Sequence, residues 1–253
     1  MFRGIIPPTV TFFRDDGSLD SDANRTHLDF LIDRGVHGLF VLGTTGEFMH
    51  MNLKEREQHA AEVVQHVNRR VPVIVGTGTT STRETIRLSR HAQGIGADAV
   101  AIITPYFWTL TEREVVAHLS AVANAVDIPV VVYNYPAYSN VNISSETLAA
   151  LVREHRNVAG VKDSIDSLEH LRRRVQVMKE INSDFAVLSG FDSFLLPTLE
   201  LGGDGTIPVT ANIAPERHVA IYDAFHRGDH ALIGELLPSM LLLSDIYRVP
   251  GSF

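Results

Sequence analysis

The chain has 253 residues, 45% of them apolar and 21% charged, a length and composition that bury a large core without a disulfide or metal staple. Its 30 Asp and Glu outnumber 22 Lys and Arg, for a formal net charge of −8, which removes any general electrostatic pull toward nucleic acid or an anionic membrane. Cysteine is absent, so thiol catalysis, Cys-ligated zinc, iron–sulfur clusters and disulfides are excluded, and a reducing cytoplasm is the compartment that fits.

Pro7 and Pro8 break the N-terminal segment before a signal-peptide core can form. No apolar run reaches the roughly 18 residues of a membrane span, so a cytoplasmic chain without a membrane partner is expected. The first strand is predicted at Gly4–Phe13 and the first helix at Leu19–Arg34, capped by Asp20 or Ser21 and stopped before Gly35. Strands follow at Gly38–Gly43, Val71–Gly76, Ala99–Thr104, Pro129–Tyr135, Val158–Lys162, Phe185–Ser189 and Gly205–Thr210. Their near-continuous apolarity, without alternation, suits parallel strands buried on both faces. Helices are predicted between them at Leu53–Asn68, Ser81–Ile95, Thr111–Ala125, Ser144–Glu154, Ser167–Ile181, Ser193–Leu201 and Ala214–Phe225. Ser81 with Glu84, and Thr111 with Glu114, have capping-box spacing.

Eight units of about 32 residues each are the size of one strand–helix repeat and make a (β/α)8 barrel, a TIM barrel. An open doubly wound sheet is the rival, but Pro7 and Pro8 stand where its glycine fingerprint belongs. No linker divides the chain. The barrel is expected over 1–228 and the start of a C-terminal helical extension over 229–253, with His230–Arg248 as a further helix. The stop after Val249-Pro250-Gly251-Ser252-Phe253 reads as an interrupted C-terminal helical region.

Barrel active sites lie at the C-terminal ends of the strands. The positions so selected include Thr44, Thr45, Tyr106, Tyr133, Tyr135, Lys162, Asp163, Ser164, Gly190 and Asp192, but none of the 12 histidines. A metal site is therefore not expected, and the histidines read as surface or packing residues. Of three lysines, Lys54 and Lys179 fall in polar helical sequence and read as solvated, as does the run Arg172-Arg173-Arg174. Lys162 ends Val158-Ala159-Gly160-Val161. In an apolar cage its amine is held neutral and can attack a carbonyl to form a Schiff base. The alternative is a lysine that snorkels from the strand end or pairs with Asp163. Tyr133 ends the preceding strand and could move the protons of imine formation, with a hydroxyl of Thr44 or Thr45 completing the relay; otherwise it is a rim aromatic. Gly43-Thr44-Thr45-Gly46-Glu47 allows successive N–H groups to face one point as a carboxylate nest, or is only a glycine-rich turn. Gly202-Gly203-Asp204-Gly205 precedes the eighth strand and reads as a helix-ending turn.

Gly43-Thr44-Thr45-Gly46-Glu47, Tyr133-Asn134-Tyr135-Pro136 and Gly160-Val161-Lys162-Asp163, in that order, resemble the motifs of the dihydrodipicolinate synthase / N-acetylneuraminate lyase family, from Gly4 to about Tyr247. The resemblance implies a homotetrameric barrel that forms a lysine imine with pyruvate or another 2-oxo acid and needs no metal or cofactor. It makes Lys162 the Schiff-base lysine and Tyr133 the proton-transfer phenol. Thr44 and Thr45 would hold the carboxylate, Thr44 also serving the relay. Ile207 would present backbone to the imine and Gly190 would line the distal pocket. Two departures stand out. Tyr138 occupies the place of an arginine that binds aspartate semialdehyde in the synthases, and Phe107 replaces a second tyrosine of the relay. The pattern is closest to the 2-keto-3-deoxygluconate-type aldolase branch, in which Tyr135, Tyr138 and Ser164 would meet substrate hydroxyls. The function implied is a class I lyase releasing pyruvate and a hydroxyaldehyde. The alternatives are a 4-hydroxy-tetrahydrodipicolinate synthase, a hydro-lyase on the same imine, or a 2-oxo-acid-binding barrel without turnover.

Overall fold

Val, Ile and Leu runs that no polar residue interrupts have one stable home, a parallel sheet covered on both sides. The computed structural model describes residues 2–248, and its strands are β1 Gly4–Ile5, β2 Leu39–Val41, β3 Val73–Gly76, β4 Ala99–Ile103, β5 Val130–Asn134, β6 Val158–Asp163, β7 Ala186–Ser189 and β8 Gly205–Thr206. All ladders are parallel, in the order β1-β8-β7-β6-β5-β4-β3-β2. A bridge between Pro8 and Phe40 joins the first strand to the second, with Phe40 N–H donating to Pro7 O at 3.0 Å and Thr9 N–H to Phe40 O at 2.9 Å. The sheet therefore closes, and the doubly wound alternative falls.

Around it run α1 Ser21–Asp33, α2 Leu53–Val67, α3 Thr82–Gly94, α4 Glu112–Ala123, the single turn α5 Pro136–Ser139, α6 Ser145–Glu154, α7 Leu168–Ile181, α8 Leu195–Glu200, α9 Pro215–Arg227 and α10 His230–Leu243. Asp20 caps α1 by accepting from Ala23 N–H, and Thr111 with Glu114 forms a full capping box. Ser81 accepts from Glu84 N–H, but its own N–H goes to Thr79 Oγ1 at 2.9 Å, so the box there is half made. Past α8, Gly202 takes φ +87° and ends the helix as expected.

Two strands are far shorter than their sequence pattern. The apolar stretch Gly4–Phe13 forms a ladder only over Gly4–Ile5, because Pro7 and Pro8 have no N–H to give. Likewise Gly205–Thr210 ladders only at Gly205–Thr206; Pro208 intervenes and Val209–Asn212 coils into a 3-10 turn. The main core fills the barrel and the layer beneath the helices, and a second cluster (Ile5, Leu195, Leu199, Ile221, Tyr222 and Met240 among it) seats α8, α9 and α10. The helix expected over His230–Arg248 is α to Leu243 and then a 3-10 turn over Ser244–Arg248. The expected stop at Val249–Phe253 lies outside the described residues.

Two surface expectations are corrected, and two of the histidines expected as surface or packing residues join polar networks. Arg172 and Arg173 pair with Glu169 and Glu146 in solvent, but Arg174 is fully buried. It shares the stripe Leu171, Arg174, Val175 and Met178 that α7 turns inward, a helical period of apolar positions with one guanidinium in it. Lys179 is only partly solvated: its ammonium donates to Phe185 O at 2.9 Å and pairs with Asp204 at 2.8 Å. His170 and His218 belong to polar networks around Asp163 and Asp192.

Candidate active site

Adjacent parallel strands set the first contact. Tyr133 on β5 and Lys162 on β6 are register partners, as are Asn134 and Asp163 one step further. Because side chains alternate faces along a strand, one pair shares the barrel interior and the other the layer beneath α7.

Lys162 is 5% exposed. Its Nζ lies 4.1 Å from the centre of the Tyr133 ring and 4.8 Å from that of Phe40, and no ion pair joins it to Asp163, which removes that alternative. Burial lowers its ammonium to about 7, against the opposing pull of the Asp192 carboxylate. At neutral pH a large share of this amine is therefore free. The Tyr133 hydroxyl lies 3.3 Å from Thr44 Oγ1. Burial raises the phenol well above its ordinary value, and the Thr44 hydrogen bond only partly offsets this, so Tyr133 rests as a neutral acid.

Thr44 and Thr45 sit on the tight turn after β2, where Leu42 at φ +57° and Glu47 at φ +55° reverse the chain. Gly46 N–H donates to Gly43 O and Glu47 N–H to Thr44 O, both at 3.0 Å. Among the described residues nothing accepts from the N–H groups of Thr44 and Thr45, which leaves two donors for an anion. Both threonines line a cavity of about 610 Å³ with Val10, Phe48, Tyr106 and Tyr138. Tyr135 stacks on Tyr133 at 5.8 Å, and Tyr138, half exposed, meets the Tyr135 edge at 4.7 Å. Burial and the neighbouring Tyr138 push the Tyr135 phenol up to about 12.

Ser164 is buried directly after the lysine strand. A Cβ on Gly190 would lie 2.0 Å from its Oγ, so only glycine leaves this hydroxyl its place. Ile207 is 1% exposed and its N–H already donates to Ser189 O at 2.8 Å, so only its carbonyl is available to a ligand. Among the described residues no three His, Cys, Asp or Glu side chains converge as metal ligands.

Sequence reasoning missed what holds these residues. Phe40, from the middle of β2, supplies the second ring over the amine. Asp163 Oδ2 accepts from Arg174 Nε at 2.7 Å and from His170 Nε2 at 2.8 Å, while its Oδ1 accepts from Asn134 Nδ2 at 2.9 Å. Burial alone would raise this carboxyl, but the His170 hydrogen bond and the Arg174 charge outweigh it and hold it below the usual carboxylate range. The stripe of α7 carried the signal for Arg174; no local pattern announces Phe40.

A closed barrel with a buried lysine, an apposed phenol and a donor turn defines a class of imine-competent (β/α)8 protein. The model of the dihydrodipicolinate synthetase family matches residues 1–251, and the chain belongs to that family. An Escherichia coli K12 protein named "Probable 2-dehydro-3-deoxy-D-pentonate aldolase YjhH" is 43% identical over 252 residues, spanning 100% of this chain and 84% of that one. The crystal structure of YagE from E. coli K12, a family member in complex with pyruvate, superposes with a TM-score of 0.96 at 41% identity, covering 98% of this chain and 83% of that one. Dihydrodipicolinate synthase from Thermotoga maritima follows with a TM-score of 0.94 at 33% identity, covering 99% and 85%.

Proposed function

We propose that this chain is a class I pyruvate-dependent aldolase that cleaves a 2-keto-3-deoxy sugar acid to pyruvate and a neutral hydroxyaldehyde, with no metal or cofactor. The observation that carries this is the buried Lys162 amine, a large share of it neutral at neutral pH, beside the Tyr133 phenol at the C-terminal mouth of the barrel. The likeness to YjhH and to pyruvate-bound YagE supports the substrate class.

The Lys162 amine attacks the C2 carbonyl. Tyr133 protonates the carbinolamine hydroxyl, water leaves, and the resulting phenolate takes the proton of the C4 hydroxyl. The C3–C4 bond then breaks, its electrons entering the iminium to give an enamine while the aldehyde departs. Tyr133 returns the proton to C3, and water hydrolyses the pyruvate imine to free the lysine. Thr44 holds the phenol in line and, with Thr45, offers donors to the substrate carboxylate; Tyr135, Ser164, Gly190 and the Ile207 carbonyl surround the departing aldehyde.

Tyr138 gives the aldehyde end a neutral hydroxyl and a ring edge where a carboxylate would need a guanidinium. That favours glyceraldehyde or glycolaldehyde over aspartate semialdehyde. The protein acts as a homotetramer in the cytoplasm; exposed Phe107 and Trp108 support an interface, and the absence of cysteine suits that compartment.

The test combines labelling and turnover. Pyruvate with borohydride is expected to label the peptide bearing Lys162, and condensation of pyruvate with glyceraldehyde is expected to exceed that with aspartate semialdehyde in kcat/KM. A label on Lys54 or Lys179 removes the lysine assignment, and a preference for aspartate semialdehyde returns the chain to the synthases.

A further inference from the structure

Behind the reacting face lies a polar cluster that touches no part of the cavity. Arg174 is 0% exposed and Asp163 3%. A fully buried ion pair is weak support for stability, since apolar residues of similar volume often do as well or better. Its geometry, however, is informative. The one Asp163 carboxylate gathers Asn134 from β5, Arg174 and His170 from α7, while Arg174 also donates to Ser144 O at 3.1 Å and to Ile143 O. Asn134 Oδ1 in turn accepts from Ile143 N–H at 3.0 Å. Three elements and the segment leading into α6 are thus tied at one residue, the neighbour of Lys162.

The backbone extends the tie to the front of the sheet. Asp163 O accepts from Gly190 N–H at 2.8 Å, and Asn134 O accepts from Ser164 N–H at 2.9 Å. The tie therefore fixes the strand position of Lys162, the seat of Ser164 and the close approach of Gly190 together. We infer that Asp163, Arg174 and His170 are positioning residues of the imine site: clamped from behind, the end of β6 presents Lys162 at the angle carbonyl attack requires. This rests on the reading of Lys162 as the nucleophile.

The test is the rate of imine formation in the full-length chain. Pyruvate condenses with the amine, losing water; borohydride then adds hydride to the imine carbon and the nitrogen takes a proton, leaving a stable secondary amine. Its location in the wild type tests the Lys162 assignment by itself, and its rate in variants tests the clamp. Arg174→Met, Arg174→Lys and His170→Asn are compared, each per folded chain by circular dichroism. Arg174→Met is expected to reach wild-type final labelling but about tenfold to 10²-fold more slowly, the cost of misplacing a reacting group by up to about 1 Å. Arg174→Lys is expected to recover part of the rate, and kcat is expected to fall more than KM for pyruvate rises. His170→Asn, at a partly exposed position that keeps the Arg174 pair, carries the same expectation at smaller size should Arg174→Met fail to fold. Labelling of the folded fraction at the wild-type rate in His170→Asn and Arg174→Met overturns the inference and leaves the cluster a purely structural one.

Discussion

Burial shifts a lysine toward its free amine, and it costs the protein whenever that lysine is charged. For Lys162 the ammonium drops from its ordinary 10.5 to about 7, with two ring faces and the Asp192 field in partial compensation. The unfolded chain keeps this proton up to about 10.5, so between 7 and 10.5 it binds more protons than the folded one and stability rises with pH. The penalty is fully present below 7 and gone above 10.5. Lys162→Met is therefore expected to raise the melting temperature, most at pH 6 and hardly at all near pH 10, as read by calorimetry. Equal melting of the two proteins at pH 6 would show that the ammonium is compensated after all. Imine formation should accelerate through pH 7 for the same reason. Tyr133→Phe keeps the ring against the amine but removes the hydroxyl 3.3 Å from Thr44 Oγ1. Turnover is expected to fall by about 10²–10⁴-fold, the usual worth of a positioned acid–base group. A variant that turns over like the wild type assigns the protons elsewhere.

At the scale of elements, the weak point is the seam between β1 and β8, two residues each. Asn212 closes it above the ladder. Its Nδ2 donates to Pro8 O at 2.8 Å and Val209 O at 2.9 Å; its Oδ1 accepts from Val10 N–H at 3.2 Å and from His27 Nε2 at 2.9 Å. Proline breaks the ladder here, and a side-chain amide replaces the missing strand bonds. Asn212→Ala leaves part-buried donors and acceptors without partners and is expected to cost about 1–3 kcal/mol. The check is a lower urea midpoint at unchanged slope; an unmoved midpoint means the seam is held by the second core cluster alone. The helix caps show the same dependence on context. Thr111 and Glu114 form the box their spacing announces, whereas Thr79 takes the Ser81 N–H that the Glu84 side chain would need.

For the whole molecule, the exposed aromatic pair matters most. Phe107 is 80% exposed, Trp108 73%, their rings edge to face at 5.6 Å, and Phe107 sits at φ +86°. Two large rings in solvent, one of them on a backbone conformation that L residues avoid, are the surface the proposed tetramer would cover. The expected outcome is a homotetramer by light scattering at micromolar concentration; a monomer there removes the assembly and with it the role of this pair.

How much of this was legible in the sequence follows from the range of the forces involved. Six of the strands, β2 to β7, appear where runs of apolar residues stand, because a parallel strand buried on both faces leaves a nearly unbroken apolar trace. The pairing of Tyr133 with Lys162 followed from the rule that barrel chemistry sits at strand ends, and Gly43–Glu47 from glycines that a tight turn requires. Arg174 stayed hidden because its charge masks a helical period that only the packing of α7 against β6 makes buried. The clamp on Asp163 joins residues 11 and 29 positions apart, and the Asn212 seam joins residues 204 apart. Patterning acts within a few turns or strand residues, so the amino-acid order determined which segments are strands and which side chains stand at the strand ends. Where each reacting group is held, and by what, is a matter of contacts between distant segments, and those exist only once the barrel has closed.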